Sequence, residues 1–210
     1  MNKFFNPDNP VTVILSRCFD LIVLNLCFII GCLPLFTAGA SLTALFRVAL
    51  SMAEGDFGYT VPTFIASFKK NLRQSVPLFL CLLSLTVFLL ADLYVIFFML
   101  PEGLRLLQAP VWLLLFADLS VIIYAFPMLA RYEQKSLRLI KNSLLLGISN
   151  LPLTVSVIVI SAVLADLSLH NGSLLVLFFS LFLFIGFALS ARILSVFLIR
   201  IFNKAGISGS

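Results

Sequence analysis

Leu174 to Ala191, LLVLFFSLFLFIGFALSA, carries no charged side chain along its whole length, and neither does Pro77 to Ala91, PLFLCLLSLTVFLLA. Each lies within a longer apolar run that meets the roughly 20 residues a helix needs to cross about 30 Å of hydrocarbon. Neither run shows the strict alternation of a barrel strand. Helices therefore remain the way to satisfy backbone N–H and C=O groups in lipid. The wider composition agrees, because only 11% of the 210 residues are charged and 61% are hydrophobic, against roughly 25% charged in soluble domains. Too few polar side chains exist to cover the apolar surface. The expected fold is all-α, a polytopic transmembrane helical bundle forming a single integral membrane domain over residues 1–210, with the lipid bilayer as its solvent and partner.

Outward from those runs, the pattern gives about six spans, five full-length plus a short or interfacial second helix. The first runs from about Val13 to Phe36, and Pro34, Thr37, Gly39 and Ala40 punctuate its end with a turn. In Ser41 to Ala53 the residues Leu42, Leu45, Phe46, Ala49 and Leu50 repeat at helical spacing, but Arg47 interrupts them. That segment reads either as a short crossing or as a helix lying in the interface. After the polar break at Glu54 to Gly58, Thr60 to Gln74 reads as an amphipathic connector, with Phe64 and Phe68 one turn apart and Lys69, Lys70 and Arg73 near its end. The later spans are about Ser75 to Leu100, Pro110 to Ala130, Leu151 to Leu169 and Leu174 to Ile199. A second basic connector holds Arg131, Lys135, Arg138 and Lys141. Lys70-Asn71 and Lys141-Asn142 recur before two of the hairpins, a hint of repetition too small to establish one.

A net charge of +5 suggests nucleic acid in a soluble protein, but here the cations flank apolar helices and read as topology signals, so no nucleic-acid partner is expected. With six crossings, all of the 14 Lys and Arg except Arg105 fall on one side. The positive-inside rule then puts both termini in the cytoplasm. Asp8, Pro7 and Pro10 precede any apolar run and no small-residue cleavage site follows one, so the first apolar helix is expected to be retained. Cys18, Cys27, Cys32 and Cys81 show no ligand spacing and are expected as buried free thiols.

Two segments carry a family likeness. Asn25 to Arg47, NLCFIIGCLPLFTAGASLTALFR, and Phe64 to Gln74, FIASFKKNLRQ, resemble the opening motifs of the YesL-like family of bacterial integral membrane proteins. The matching positions are Asn25, Pro34, Thr37, Gly39, Ala44, Leu45, Phe64, Phe68, Lys70, Asn71 and Gln74. They occupy the first third of the chain, and the rest resembles that family only in length and hydrophobic layout. The resemblance implies a Gram-positive plasma-membrane protein of unassigned activity, associated with carbohydrate uptake and utilisation systems, with a carbohydrate ABC transporter as the implied partner. It supplies no catalytic or ligand residues.

The polar residues inside the apolar runs are the remaining clue, since an intramembrane charge costs at least about 2.5 kcal/mol and needs a partner or water. Three Ala-Asp-Leu triplets place Asp92, Asp118 and Asp166 on three different spans. Asp92 and Asp118 lie equally far in sequence from Arg105, so in a symmetric hairpin they face each other at similar depth. Two facing carboxylates would share a proton and support ion or proton coupling. The plainer alternative is that each bonds a hydroxyl, a backbone group or Arg105 and fastens helices together. Arg17 and Asp20 are spaced i, i+3 and suited to pair, with Arg47 and Arg192 as neighbours if the first, second and sixth spans meet. That cluster reads as an anionic ligand site or gate, or else as snorkelling side chains. Asn25, Pro34, Thr37 and Gly39 read as a broken-helix motif lining a site, or as a simple hairpin bend. The basic connectors fit contact with anionic lipid headgroups or with a cytoplasmic partner.

Enzymatic motifs are missing. The single His, His170, has no metal-ligand or triad spacing around it, and no P-loop or dinucleotide fingerprint occurs. No catalytic residue, metal or cofactor is therefore expected. The leading expectation is a non-enzymatic accessory or regulatory membrane component, and the rival is a small secondary transporter or channel coupled through Asp92 and Asp118.

Overall fold

A computed structural model describes residues 10–56, 59–99, 101, 106, 108–132, 134–170 and 172–204. Several expected features lie outside those residues: Lys3 and Asp8 at the start, the turn positions Phe57, Gly58, Glu102 and Gly103, and the loop cation Arg105. Among the described residues the chain forms seven helices and no strand: α1 (Pro10–Cys32), α2 (Ala38–Glu54), α3 (Thr60–Phe98), α4 (Gln108–Arg131), α5 (Ser136–Ser149), α6 (Leu151–His170) and α7 (Gly172–Lys204). Six of them, all but α5, are long and apolar enough to cross a bilayer. The fold is the all-α polytopic bundle that the apolar runs require.

The second helix is short, at 17 residues, but other helices enclose it, unlike a helix laid along the outside of a bundle. It packs against α1, α3, α4 and α7, and 67% of its apolar window is buried, against 6% for α6. Small residues make this central position possible. Gly39, Ala40, Ser41, Ala44 and Ala49 are all buried, and side chains this small let neighbouring backbones approach closely. A Cβ on Gly39 would stand 2.5 Å from Phe79 Cβ and 2.7 Å from the Ser75 carbonyl oxygen, so only glycine fits where α2 crosses α3. The helix stops at Gly55, whose φ of +95° is left-handed. There the Asp56 N–H reaches back to Ser51 O at 3.0 Å, the long bond of a Schellman cap.

The expected boundary between an amphipathic connector and a third span does not exist. Thr60 to Phe98 is one helix of 39 residues with Pro77 inside it, about 58 Å long at 1.5 Å per residue. Pro77 removes one backbone N–H without ending the helix, as membrane helices tolerate when neighbours support the turn. α3 is thus a spine. Its first half carries α2, through Gly39 against Ser75 and through the Thr43–Ser75 hydroxyl pair at 3.0 Å. Its second half carries α4, through the Phe79–Phe126 rings and a cluster of Leu89, Leu93 and Leu115.

The second basic connector also folds differently from its expectation as a link. Most of it is α5, a 14-residue helix laid along α4, with Gly147 against Ser120 and Ser143 Oγ 3.6 Å from Met128 Sδ. Tyr124 OH and Thr154 Oγ1 then join α4 to the start of α6 at 3.1 Å. Beyond Thr154, α6 buries no residue, and the first turns of α7, Gly172–Leu181, bury none either. Their Val, Leu and Phe side chains face outward, as lipid-facing residues do. All four cysteines are free, but Cys18 and Cys81 are exposed on outer helix faces and Cys27 and Cys32 are only half-buried, so none is fully buried as expected. Apolar helix faces look alike in sequence whether lipid or protein covers them.

Candidate functional site

The three intramembrane aspartates do not meet. Asp118 is 3% exposed, and its Oδ2 accepts the Thr86 hydroxyl at 2.5 Å. Its Oδ1 is buried with no hydrogen-bond partner among the described residues. The same register brings Leu89 to Leu115, so the residue opposite Asp118 is Thr86, six positions before Asp92. At about 1.5 Å per residue that separates the two carboxyls by about 9 Å along the hairpin. The equal-depth pairing expected from symmetry about Arg105 is therefore not formed. Asp166 lies near the end of α6, exposed, with His170 Nδ1 3.3 Å from its Oδ1. Each aspartate has its own surroundings, and among the described residues the side-chain partner of Asp118 is a fastening hydroxyl.

The four residues of the broken-helix motif separate into two jobs. Thr37 closes the α1–α2 turn, its hydroxyl donating to Gly31 O at 2.8 Å and Pro34 O at 2.7 Å. A 3₁₀ turn at Leu35–Thr37 follows Pro34, and Ser41 Oγ donates to Phe28 O at 2.9 Å across the bend. Pro34, Thr37 and Gly39 thus form a hairpin whose freed carbonyls are satisfied locally. Asn25 belongs elsewhere. It is fully buried, and its side-chain amide donates to Phe182 O at 3.0 Å and Leu183 O at 2.8 Å, while its Oδ1 accepts the Ala188 N–H at 3.1 Å. The two carbonyls belong to the first residues of a π-helical turn, Phe182–Gly186, inside α7, and Ala188 lies just past its end. A π turn displaces the regular backbone pairing, and one neutral amide supplies both donors and the acceptor that the displaced groups need.

The cluster expected from Arg17, Asp20, Arg47 and Arg192 also divides. Arg17 on α1 and Arg192 on α7 stand close enough to interact as like charges, in line with the packing of those helices. Arg47 points into another region, where its Nη1 donates to Ala130 O at 3.3 Å.

That region is a polar cavity of about 400 Å³ between α2, α3 and the end of α4, lined in part by Arg47, Ser67, Lys70, Asn71 and Arg131. Arg131 Nη1 stands 2.8 Å from Glu54 Oε1, an ion pair by distance, yet it has no aligned hydrogen bond. Lys70, Asn71 and Leu129 are shared with a second cavity that also includes Gln74, Gln134 and Lys135. Arg47 and Thr63 are shared with a third, towards Asp56 and Tyr59. Gln74 Nε2 donates to Gln134 O at 2.6 Å, and Asn142 Nδ2 donates to Gln134 Oε1 at 3.0 Å, so two amides hold Gln134 in the connection between α4 and α5. Asn71 instead donates to Ser67 O one turn back, at 2.9 Å, so the repeated Lys-Asn pairs do not serve equivalent roles. The cavities so described are not lined by Asp92, Asp118 or Asp166. In the sequence Arg47 was grouped with Arg17, Asp20 and Arg192 as a candidate anionic ligand site or gate, and Lys70 and Arg131 belonged to connectors suited to lipid headgroups or a cytoplasmic partner; that Arg47, Lys70 and Arg131 line one cavity was not read there. Among the described residues no group of His, Cys, Asp and Glu is arranged to hold a metal.

Six apolar helices around a hydrogen-bonded interior define a multi-pass membrane protein. Within it, residues 21–93, from α1 through most of α3, match a family model described as "Protein of unknown function, DUF624". No curated protein and no solved structure matches the chain.

Proposed function

We propose that the chain is a non-enzymatic accessory or regulatory component of a bacterial plasma membrane, with both termini in the cytoplasm, acting beside a carbohydrate uptake system such as an ABC transporter. The observation that carries the accessory reading is the use of the intramembrane polar groups as helix fasteners. Asn25 on α7, Ser41 on α1, Thr43 with Ser75, Tyr124 with Thr154 and Asp118 with Thr86 each join two elements. A path for a moving solute needs groups that exchange partners as it passes. The link to carbohydrate uptake rests on the resemblance of Asn25 to Gln74 to the YesL-like proteins, which falls within the stretch matched to the unknown-function family. Orientation rests on the excess of Lys and Arg at one end of the spans.

Affinity purification of the full chain from its native membrane tests this reading. Recovery of a carbohydrate ABC transporter, with no solute flux in liposomes holding the protein alone, is the expected result. One observation favours transport instead, the bare and buried Oδ1 of Asp118. Proton or sugar flux that Asp118→Asn abolishes while the protein stays folded defeats the accessory reading.

A further inference from the structure

Three helices each bring a cation to the central polar cavity: Arg47 from α2, Lys70 from α3 and Arg131 from the end of α4. Among the described residues no carboxylate lines that cavity. Like charges gathered around one space repel each other, and the repulsion grows as their surroundings become less polar. Glu54 relieves it at Arg131, whose Nη1 stands 2.8 Å from Glu54 Oε1. Arg47 commits one of its five donors to Ala130 O in a long bond of 3.3 Å. Hydroxyl and amide groups from Thr63, Ser67 and Asn71 complete the wall.

We propose that this cavity binds the phosphoryl group of an anionic ligand, supplied either by a membrane phospholipid headgroup or by a soluble phosphate ester. A planar guanidinium presents a fork of donors that matches two phosphoryl oxygens, and a lysine adds a point charge for a third. Two arginines and a lysine on three helices suit a group with several oxygens and more charge than one carboxylate. The space of about 400 Å³ falls in the range of roughly 300–1,000 Å³ typical of small-molecule sites, larger than a phosphoryl group alone requires. The remainder of the ligand extends past Lys70 and Asn71 into the adjoining cavity beside Gln74 and Ser136. The site does not depend on any role in carbohydrate uptake.

The full-length protein in phosphatidylcholine nanodiscs is titrated with inorganic phosphate at constant ionic strength, and thermal unfolding is followed. In a second arm it is extracted from vesicles containing phosphatidylglycerol, and retained lipid is counted by native mass spectrometry. The expected result is stabilisation in the first arm, which assigns a soluble phosphate ester, or retained phosphatidylglycerol in the second, which assigns a headgroup. Arg47→Gln and Lys70→Gln should each weaken that binding at least about tenfold, while Arg200→Gln, on an exposed face of α7 away from the cavity, leaves it unchanged. Both glutamine variants must first match the parent in helicity and monodispersity; if one does not, the other carries the comparison, and conservative Arg47→Lys replaces Arg47→Gln. Absence of any effect in both arms, or equal weakening by Arg200→Gln, overturns the proposal.

Discussion

Asn25 Oδ1 accepts the Ala188 N–H at 3.1 Å while the same amide donates to the carbonyls of Phe182 and Leu183, so a single side chain of α1 holds the π turn of α7 at its start and just past its end. Interhelical hydrogen bonds in membranes average about 0.6 kcal/mol and reach about 1.7, whereas a buried group left without a partner costs about 1–3 kcal/mol. Because three groups lose one partner together, Asn25→Ala should destabilise the protein by about 2–4 kcal/mol. Asn25→Asp should be no better, since it keeps the acceptor but turns oxygen towards two carbonyl oxygens. Reversible unfolding in mixed micelles measures both. An Asp variant as stable as the parent would mean that the amide donors contribute nothing.

Gly39 makes a prediction of the opposite kind, about room and not about bonding. An added methyl would press on the Ser75 carbonyl oxygen at 2.7 Å and on Phe79 Cβ at 2.5 Å, both fixed to the α3 backbone. α2 must move away, which strains the Thr43–Ser75 contact as well. Gly39→Ala should therefore cost about 1–3 kcal/mol, the usual range for an overpacked contact. Gly172→Ala, with nothing within 4 Å of the new methyl, is the comparison and should be close to neutral. Equal thermal stability of the two variants would remove the close crossing of α2 and α3.

Much of this architecture was legible in the chain, because a charge-free run of membrane length admits few other structures. The central position of α2 was not. Arg47 made it look like a poor span, yet protein surrounds that helix and its cation opens onto a polar cavity. The continuity of α3 was hidden by Lys69, Lys70, Arg73 and Pro77, which imitate a boundary. Asn25 was visible as a costly amide, but its partners lie more than 150 positions away, around a π turn that no local pattern announces. The aspartate register failed because symmetry about a loop residue is not the register that side-chain packing selects. The cations of the cavity were counted individually by their side of the membrane, and their convergence depends on helix contacts that no spacing rule contains.

Asp118 and Thr86 separate a fastening role from a coupling one. A buried carboxyl with one hydroxyl partner and one bare oxygen is costly, and more so when ionised. Asp118→Asn retains an oxygen to accept the Thr86 hydroxyl and removes the possibility of charge, so it should equal or exceed the parent in stability. Thr86→Val deletes the hydroxyl that Asp118 Oδ2 accepts and should cost about 1–3 kcal/mol. Thermal unfolding in a single detergent compares the two variants directly. A strongly destabilised Asp118→Asn with a neutral Thr86→Val reverses the argument and points to an ionised carboxylate with another partner.

The central location of α2 sets the last expectation. Ala49 lies on the same helix as Arg47 and is fully buried, whereas Cys81 on α3 is exposed on an outer face. In a cysteine-free background, a membrane-permeant maleimide should label Cys81 restored alone and leave Ala49→Cys protected until the bundle is unfolded. A small side chain replaces a small one there, so the variant is expected to fold, and labelling after denaturation verifies that the new thiol is present. Had α2 rested in the interface, one of its faces would meet lipid or water; Ser51→Cys and Ala53→Cys, on its half-buried last turns, then act as internal references. Labelling of Ala49→Cys at the rate of Cys81 contradicts the arrangement in which α2 is enclosed by α1, α3, α4 and α7, and with it the cavity whose wall α2 provides.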